Sequence, residues 1–310
     1  MRSVFSTVKK AFMINSFWMV FASFFYALYA LFLKFASIDG LSSFEVLFYR
    51  SLFGLILISV IMTVRHIPFS TPHPVEQACR GCLSSLAIIS GALAIAGIDI
   101  GMAQTLNNTT PLFIGLFVAI GAVVHGLKCP YGLLLSLIVG FAGVILMVGP
   151  SLDIGSYWYV FLALVSAFAG AFAMMYINIL TKHNEPGERI LFYLFTIGTV
   201  TGLVLTIATG GSHVSSFSTV LWILGFCLSS TLMQTGFTFA FGRGDVGLSG
   251  FLQYLTIPFS VILGFIFLDE EISLSALLGM CVIVAGGIMA TLFTKKERDL
   301  VKKIHQVTTK

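Results

Sequence analysis

Charge is what this sequence has least of. Asp, Glu, Lys and Arg make up 10% of its 310 residues, where a soluble domain carries about 25%. That leaves too little polar surface to cover a water-facing globule of this size. An ordinary cytosolic enzyme, a nucleic-acid binder and a disordered scaffold are excluded on that ground. Tryptophan is scarce as well, with 3 against 30 Phe, which fits a chain solvated by lipid. Cysteine is sparse and odd in number: Cys79, Cys82, Cys129, Cys227 and Cys281 are scattered rather than framed. Disulfide frameworks belong to short secreted domains, so these read as free thiols. Cys79 and Cys82 form one C-x-x-C, but no second ligand pair lies nearby in sequence, so no metal and no cofactor is expected. Histidine is missing from every long apolar run. Gly247-Leu-Ser249-Gly250 therefore has no base within reach and is not a protease site.

What is present is hydrophobic length: 57% apolar residues and a mean hydropathy of +1.00. A bilayer span needs about twenty mostly apolar residues, because lipid offers no partner to a free backbone group. Ten stretches qualify, at 16–37, 43–64, 78–97, 101–121, 131–149, 156–181, 189–209, 217–241, 246–268 and 272–293. The first is too long for a signal-peptide core, so it reads as an uncleaved helix. The connections are short and leave no room for a soluble domain. Gly242-Arg-Gly244-Asp-Val-Gly247 spells the dinucleotide fingerprint, yet sits in a turn between two spans with no strand before it, and is rejected.

The basic residues set the orientation. Of the 17 Lys and Arg, all but Lys34 and Arg50 fall on one side when the N-terminus is inside, Arg65, Arg80, Lys128 and Arg243 among them. The opposite loops carry Asp39, Asp99, Asp153 and the 269–271 acidic run. This asymmetry places both termini in the cytoplasm and the chain in the cytoplasmic (inner) membrane.

The two halves echo each other. Residues 99–103 read Asp-Ile-Gly-Met-Ala and 245–249 read Asp-Val-Gly-Leu-Ser, and each opens a span containing a Thr-x-Pro (Thr109 to Pro111, Thr256 to Pro258). A glycine pair follows late in the next span of each half, at Gly140 and Gly143 and at Gly286 and Gly287. Leu47-Phe48-Tyr49 and Leu191-Phe192-Tyr193 begin the second span of each. Five spans per half is an odd number, so the second half enters the membrane upside down. The fold class is thus an all-α polytopic membrane protein with ten transmembrane helices in a 5+5 inverted repeat, a secondary-transporter signature. The expected division is a cytoplasmic N-terminal segment 1–15, a first five-helix repeat 16–150, a second 151–294 and a basic cytoplasmic tail 295–310.

At this point the chain resembles the drug/metabolite transporter superfamily, EamA type, over about residues 16–294. In the first half the resemblance rests on Lys34, Arg50, Arg80-Gly81 and Thr110-Pro111. In the second it rests on Gly155 through Lys182, Phe267-Leu-Asp-Glu-Glu-Ile272 and Ala285-Gly286-Gly287. It implies a central cavity, alternating access and small organic metabolites as cargo. The chain departs from the family at His125-Gly-Leu-Lys128, where a glutamate is usual, and at Tyr26, where a small glycine is usual.

Polar side chains inside lipid face a cavity or a partner helix. Gln104, Asn107 and Asn108, at i, i+3 and i+4, share one face of span four, and Pro111 follows one turn later. Span nine offers Gln253 and Tyr254 before Pro258, span eight adds Gln234, and span six adds Tyr176. Amides and phenols both donate and accept, which suits a zwitterionic or polyfunctional ligand; the alternative use is bonding between helices. Lys34 sits near its helix end and reads as snorkelling. Arg50 either bonds carbonyls or Glu45 structurally or holds a carboxylate or phosphate in the cavity. The 269–271 acids read as a solvated cap before span ten. No other acid lies mid-span, so proton coupling has little support.

The expected function is a secondary transporter for a small polar, amino-acid-like metabolite, with the substrate oriented by Gln104, Asn107, Asn108, Tyr176, Gln234, Gln253, Tyr254 and Arg50. A carrier of a nucleoside or nucleotide-type metabolite, such as a sulfonium adenosine compound, is the alternative; a channel or a non-transporting membrane protein is the alternative of a different class. The expected partners are a small-molecule substrate and membrane lipid, without nucleic acid, in a monomer or weak homodimer.

Overall fold

A computed structural model describes residues 2–124, 131–148, 156–210, 216–243, 252–271, 273–275, 277–289 and 292–293. Among them, the regular structure is α-helical throughout. The helices are α1 (Arg2–Ile38), α2 (Ser43–Val64), α3 (Pro74–Gly97), α4 (Ile100–Asn107), α5 (Thr110–Val124), α6 (Tyr131–Val148), α7 (Ser156–Lys182), α8 (Gly187–Ala208), α9 (Phe217–Arg243), α10 (Thr256–Leu268) and α11 (Leu277–Met289). Counting α4 and α5 as two halves of one span, these are the ten spans of an all-α polytopic membrane protein. Large apolar side chains such as Val60, Val200, Val204, Ile207, Phe265 and Ile266 point outward, where lipid rather than water is the stable neighbour.

The packing obeys the repeat. Helix α1 packs along α9, and α3 packs along α7; these are the first span of each half against the third span of the other. Helix α2 packs on α8, second span on second, and α4 touches α10, fourth on fourth. The fifth spans meet through glycine. A Cβ on Gly286 would stand 2.6 Å from the Gly140 backbone, so only bare Cα atoms allow α6 and α11 to approach this closely. Where α2 crosses α8, a Cβ on Gly202 would likewise lie 2.6 Å from the Phe48 backbone nitrogen. Both ends of the Gly198-x-x-x-Gly202 stripe thus serve a helix contact.

Helix α2 starts on a capping box: the Glu45 N–H donates to Ser42 Oγ at 3.3 Å and the Ser42 N–H donates to Glu45 Oε2 at 2.8 Å. Glu45 is committed to that helix start.

Span four, expected as one kinked helix over 101–121, is two helices that break at Asn108-Thr109. The break lies just before Pro111 for a reason that the backbone states. Pro111 has no N–H to give to the Asn107 carbonyl one turn back. The Thr110 hydroxyl donates to it instead, at 2.9 Å. Thr109 Oγ1 covers the Leu106 carbonyl at 2.7 Å and Asn108 Nδ2 the Gln104 carbonyl at 2.7 Å. In span nine, α10 begins only at Thr256, after a turn at Tyr254-Leu255, and the Ile257 N–H supplies the Tyr254 carbonyl at 3.1 Å. The 125–128 turn, Cys129, the Gly247–Gly250 segment of the two rejected motifs and the tail from Lys295 lie outside the described residues.

Candidate functional site

Between the halves lies a cavity of about 110 Å³, room for a small solute. Helices α1, α3, α7 and α9 form its walls. Arg50 of α2 reaches in from one side, and Asn107, Thr110 and Gln253 from the two broken spans complete it. The Arg50 guanidinium carbon lies 5.1 Å from the centroid of the Tyr29 ring, a cation–π arrangement. The Asn107 amide interacts with the Tyr26 hydroxyl.

Of the residues singled out in the sequence, Arg50, Asn107, Gln234 and Gln253 line this cavity. Gln104 and Asn108 are fully buried behind it, at the break in span four. Tyr254 is buried with its ring against Gly287, a position where any side chain would collide with it. Tyr176 is half-buried on α7 and faces Cys79 rather than the cavity.

Tyr26, Tyr29, Arg80, Ser84 and Ser166 also line the cavity and were not singled out as substrate contacts. Arg80 corrects the charge reading that placed it among the loop cations: it is 1% exposed, with Nη1 donating to the Ile190 carbonyl at 3.3 Å. A signal existed, because Arg80, Ser84, Ala87, Gly91 and Ile95 recur at three- and four-residue spacing on one face of α3.

Several buried polar atoms in this region have no hydrogen-bond partner among the described residues. Arg50 Nε and Nη2 and Arg80 Nε are donors of that kind; Asn107 Oδ1 and Gln253 Oε1 are acceptors. Buried polar groups are nearly always satisfied, so a cavity bordered by such atoms is chemically incomplete without a polar guest or water.

Each end of the cavity is tied. At one face the Glu270 carboxylate accepts the Ile100 N–H, with both oxygens at 3.0 Å. Glu270 thus caps α4 rather than standing as a solvated cap of span ten, because the left-handed turn at Asp269 (φ 50°) swings it back over Gly264. Burial pushes its carboxyl above the usual range, and Asp99 adds to this, while the Ile100 N–H and Lys34 oppose it. Lys34 Nζ donates to the Ile98 carbonyl at 2.7 Å.

At the opposite face Arg65 pairs with Glu188 at 2.8 Å, and Glu185 takes a bond from Thr71 at 2.6 Å and one from Arg189 at 2.9 Å. Beside them the His73 and His183 rings stack at 4.3 Å, with Glu76 at 3.9 Å from His73. These three place potential metal-ligand atoms within 4.8 Å of one another, a grouping hidden from the sequence by the hundred-odd residues between its members. The ties join the loop after α2 to the loop after α7, one from each half.

A symmetric ten-span frame around a polar central cavity is the architecture of a membrane transporter. Residues 157–292 match the EamA-like transporter family. An uncharacterized transporter of Helicobacter pylori (strain ATCC 700392 / 26695) is 24% identical over 82% of this chain and 87% of its own length. The pseudopaline exporter CntI of Pseudomonas aeruginosa (strain UCBPP-PA14) is 27% identical over 79% of this chain and 84% of its own. A solved crystal structure shares the fold at a TM-score of 0.63, with 16% identity, across 90% of this chain and 98% of that one. The second half of the chain thus carries an EamA-like transporter domain, and the relatives it matches over most of its length are transporters.

Proposed function

We propose that this transporter is a secondary carrier that moves a small zwitterionic, amino-acid-like metabolite across the cytoplasmic membrane by alternating access through the central cavity. One observation carries this reading. The residues lining the same cavity include Arg50, with unpartnered guanidinium N–H groups, and Asn107 and Gln253, with unpartnered amide oxygens. The first suits a carboxylate and the second an ammonium group, and both residue sets line the space between the repeats, where carriers hold substrate. Gln234 lies within reach as a further orienting amide. The ties at the Glu270 face and at the Glu188 face supply the two closures that alternating access makes and breaks in turn. The distribution of basic residues supports a cytoplasmic Glu188 face, and the relative named as an exporter favours outward movement.

The test is counterflow in proteoliposomes. Uptake of labelled amino acid that saturates and is accelerated by unlabelled amino acid on the far side identifies a carrier; Asn107→Ala and Gln253→Ala should each remove it. Flux that rises linearly without acceleration from the far side would make the protein a channel. No flux of any solute would make it a structural membrane protein.

A further inference from the structure

The cavity holds a second cation that a simple amino acid would leave unused. Arg80 is 1% exposed and Arg50 2% exposed, and both line the same space. An Arg side chain stays charged in a protein, and a buried charge is costly unless paired. Neither arginine is ion-paired among the described residues, and none of the described lining residues is acidic. Arg80 spends one nitrogen on the Ile190 carbonyl and keeps Nε free; Arg50 rests against Tyr29 and keeps Nε and Nη2 free.

The repeat shows an apolar counterpart to Arg50, so a charge at that point is not a general need of the frame. Aligning Leu47-Phe48-Tyr49 with Leu191-Phe192-Tyr193 puts Arg50 opposite Leu194, a buried apolar residue in the equivalent helix. The two arginines also differ in depth. Arg50 lies seven residues into α2 from the Glu270 face, and Arg80 lies six residues into α3 from the Glu188 face. At the helical rise of 1.5 Å, their Cα atoms are on the order of 10 Å apart along the cavity.

We infer that the substrate carries two separated acidic groups, one seated on Arg50 against Tyr29 and one on Arg80, with its amine held between them by the Asn107 and Gln253 oxygens. The ligand class is a dicarboxylate amino acid. The inference rests on the reading of the cavity as the substrate site, and it adds the count and placement of charges. An amino acid with one carboxylate fills half the site.

The experiment uses the full-length protein in detergent and reads binding by thermal shift and calorimetry. The probes are aspartate and 2-aminoadipate, each beside its side-chain monomethyl ester. The diacids should bind about tenfold or more tightly than their esters, as expected for one charge-assisted pair. Arg80→Gln should weaken the diacid and leave the ester unchanged, closing that gap; Arg50→Gln should weaken both. Arg80→Lys keeps the charge and should retain part of the preference. The wild-type comparison of acid with ester stands even where a variant fails to fold.

Equal binding of diacid and ester to the wild type would overturn the inference. So would an Arg80→Gln loss that is equal for both, or failure of every acid in the set to bind. Diacid binding without flux in proteoliposomes would sink the carrier reading and leave this site standing. Counterflow of a neutral or cationic metabolite, abolished by Asn107→Ala and indifferent to carboxylates, would do the reverse.

Discussion

The Glu270 carboxylate and the Ile100 backbone N–H, 3.0 Å apart, join the turn after the fourth span of one repeat to the first turn of a broken helix in the other. The bond satisfies a donor at the start of α4, which a free helix end would leave to solvent. Burial, the largest influence, lifts the Glu270 carboxyl above its ordinary 4.5. The protonated form is therefore favoured by folding, so its contribution to stability is present below 4.5 and lost as the pH rises through the elevated value. Glu270→Gln is neutral at every pH. It should melt with the wild type in acid and progressively above it as the pH rises toward neutrality. A melting difference that is constant with pH would refute the assignment.

Thr110 and Pro111 form a compensated pair. The proline withholds an N–H from the Asn107 carbonyl and the threonine hydroxyl replaces it at 2.9 Å. Thr110→Val should destabilise by about 1–3 kcal/mol, the cost of a buried carbonyl left unmade. Thr110→Ser should melt like the wild type. Pro111→Ala restores the missing donor, so the Thr110→Val/Pro111→Ala double variant should recover most of the loss. If the double variant is no more stable than Thr110→Val, the hydroxyl is not standing in for the amide.

The sequence made the ten spans and their duplication legible, because lipid imposes a length and a polarity that a residue-by-residue reading detects. The proline of span four marked a kink, and the structure turns that kink into a break at Asn108-Thr109. The partners of the polar residues were not legible. Arg80 lies six residues from a helix start, a depth at which a long side chain can turn to the surface or to the centre; only the neighbouring helices decide. Glu270 read as a cap for the helix that follows it, since local sequence is the obvious context for a cap. Its partner lies 170 residues away. Asn107 and Asn108 are adjacent and alike in sequence. The break between α4 and α5 sends one to the cavity and folds the other back on Gln104.

The ties at the Glu188 face should separate by burial. Arg65 is exposed, so its bond to Glu188 works in high dielectric, and Arg65→Ala should cost about 0.2–1 kcal/mol. Glu185 is buried and accepts from both Thr71 and Arg189. Glu185→Ala leaves the Arg189 guanidinium only its bond to the Pro68 carbonyl and should cost more, roughly 3 kcal/mol. Loosening this face should also speed reaction of Cys79, half-buried on α3, with a hydrophilic thiol reagent. Thermal melts and labelling rates check both statements, and a larger effect from Arg65→Ala would contradict them.

Two glycines test the frame and the cavity separately. At Gly202 a Cβ would come within 2.6 Å of the Phe48 backbone, and backbone cannot swing aside as a flexible side chain does. Gly202→Ala should therefore push α2 from α8 and destabilise by about 1–3 kcal/mol. At Gly170 the nearest atom to an added Cβ is Thr110 Oγ1 at 3.8 Å, an ordinary contact. Gly170→Ala should melt like the wild type, yet it places a methyl group on the cavity wall. Its signature is weakened binding of the largest ligand in a size series with the smallest unaffected. A Gly170→Ala protein that binds large and small ligands as the wild type does would show that this wall is not where substrate sits.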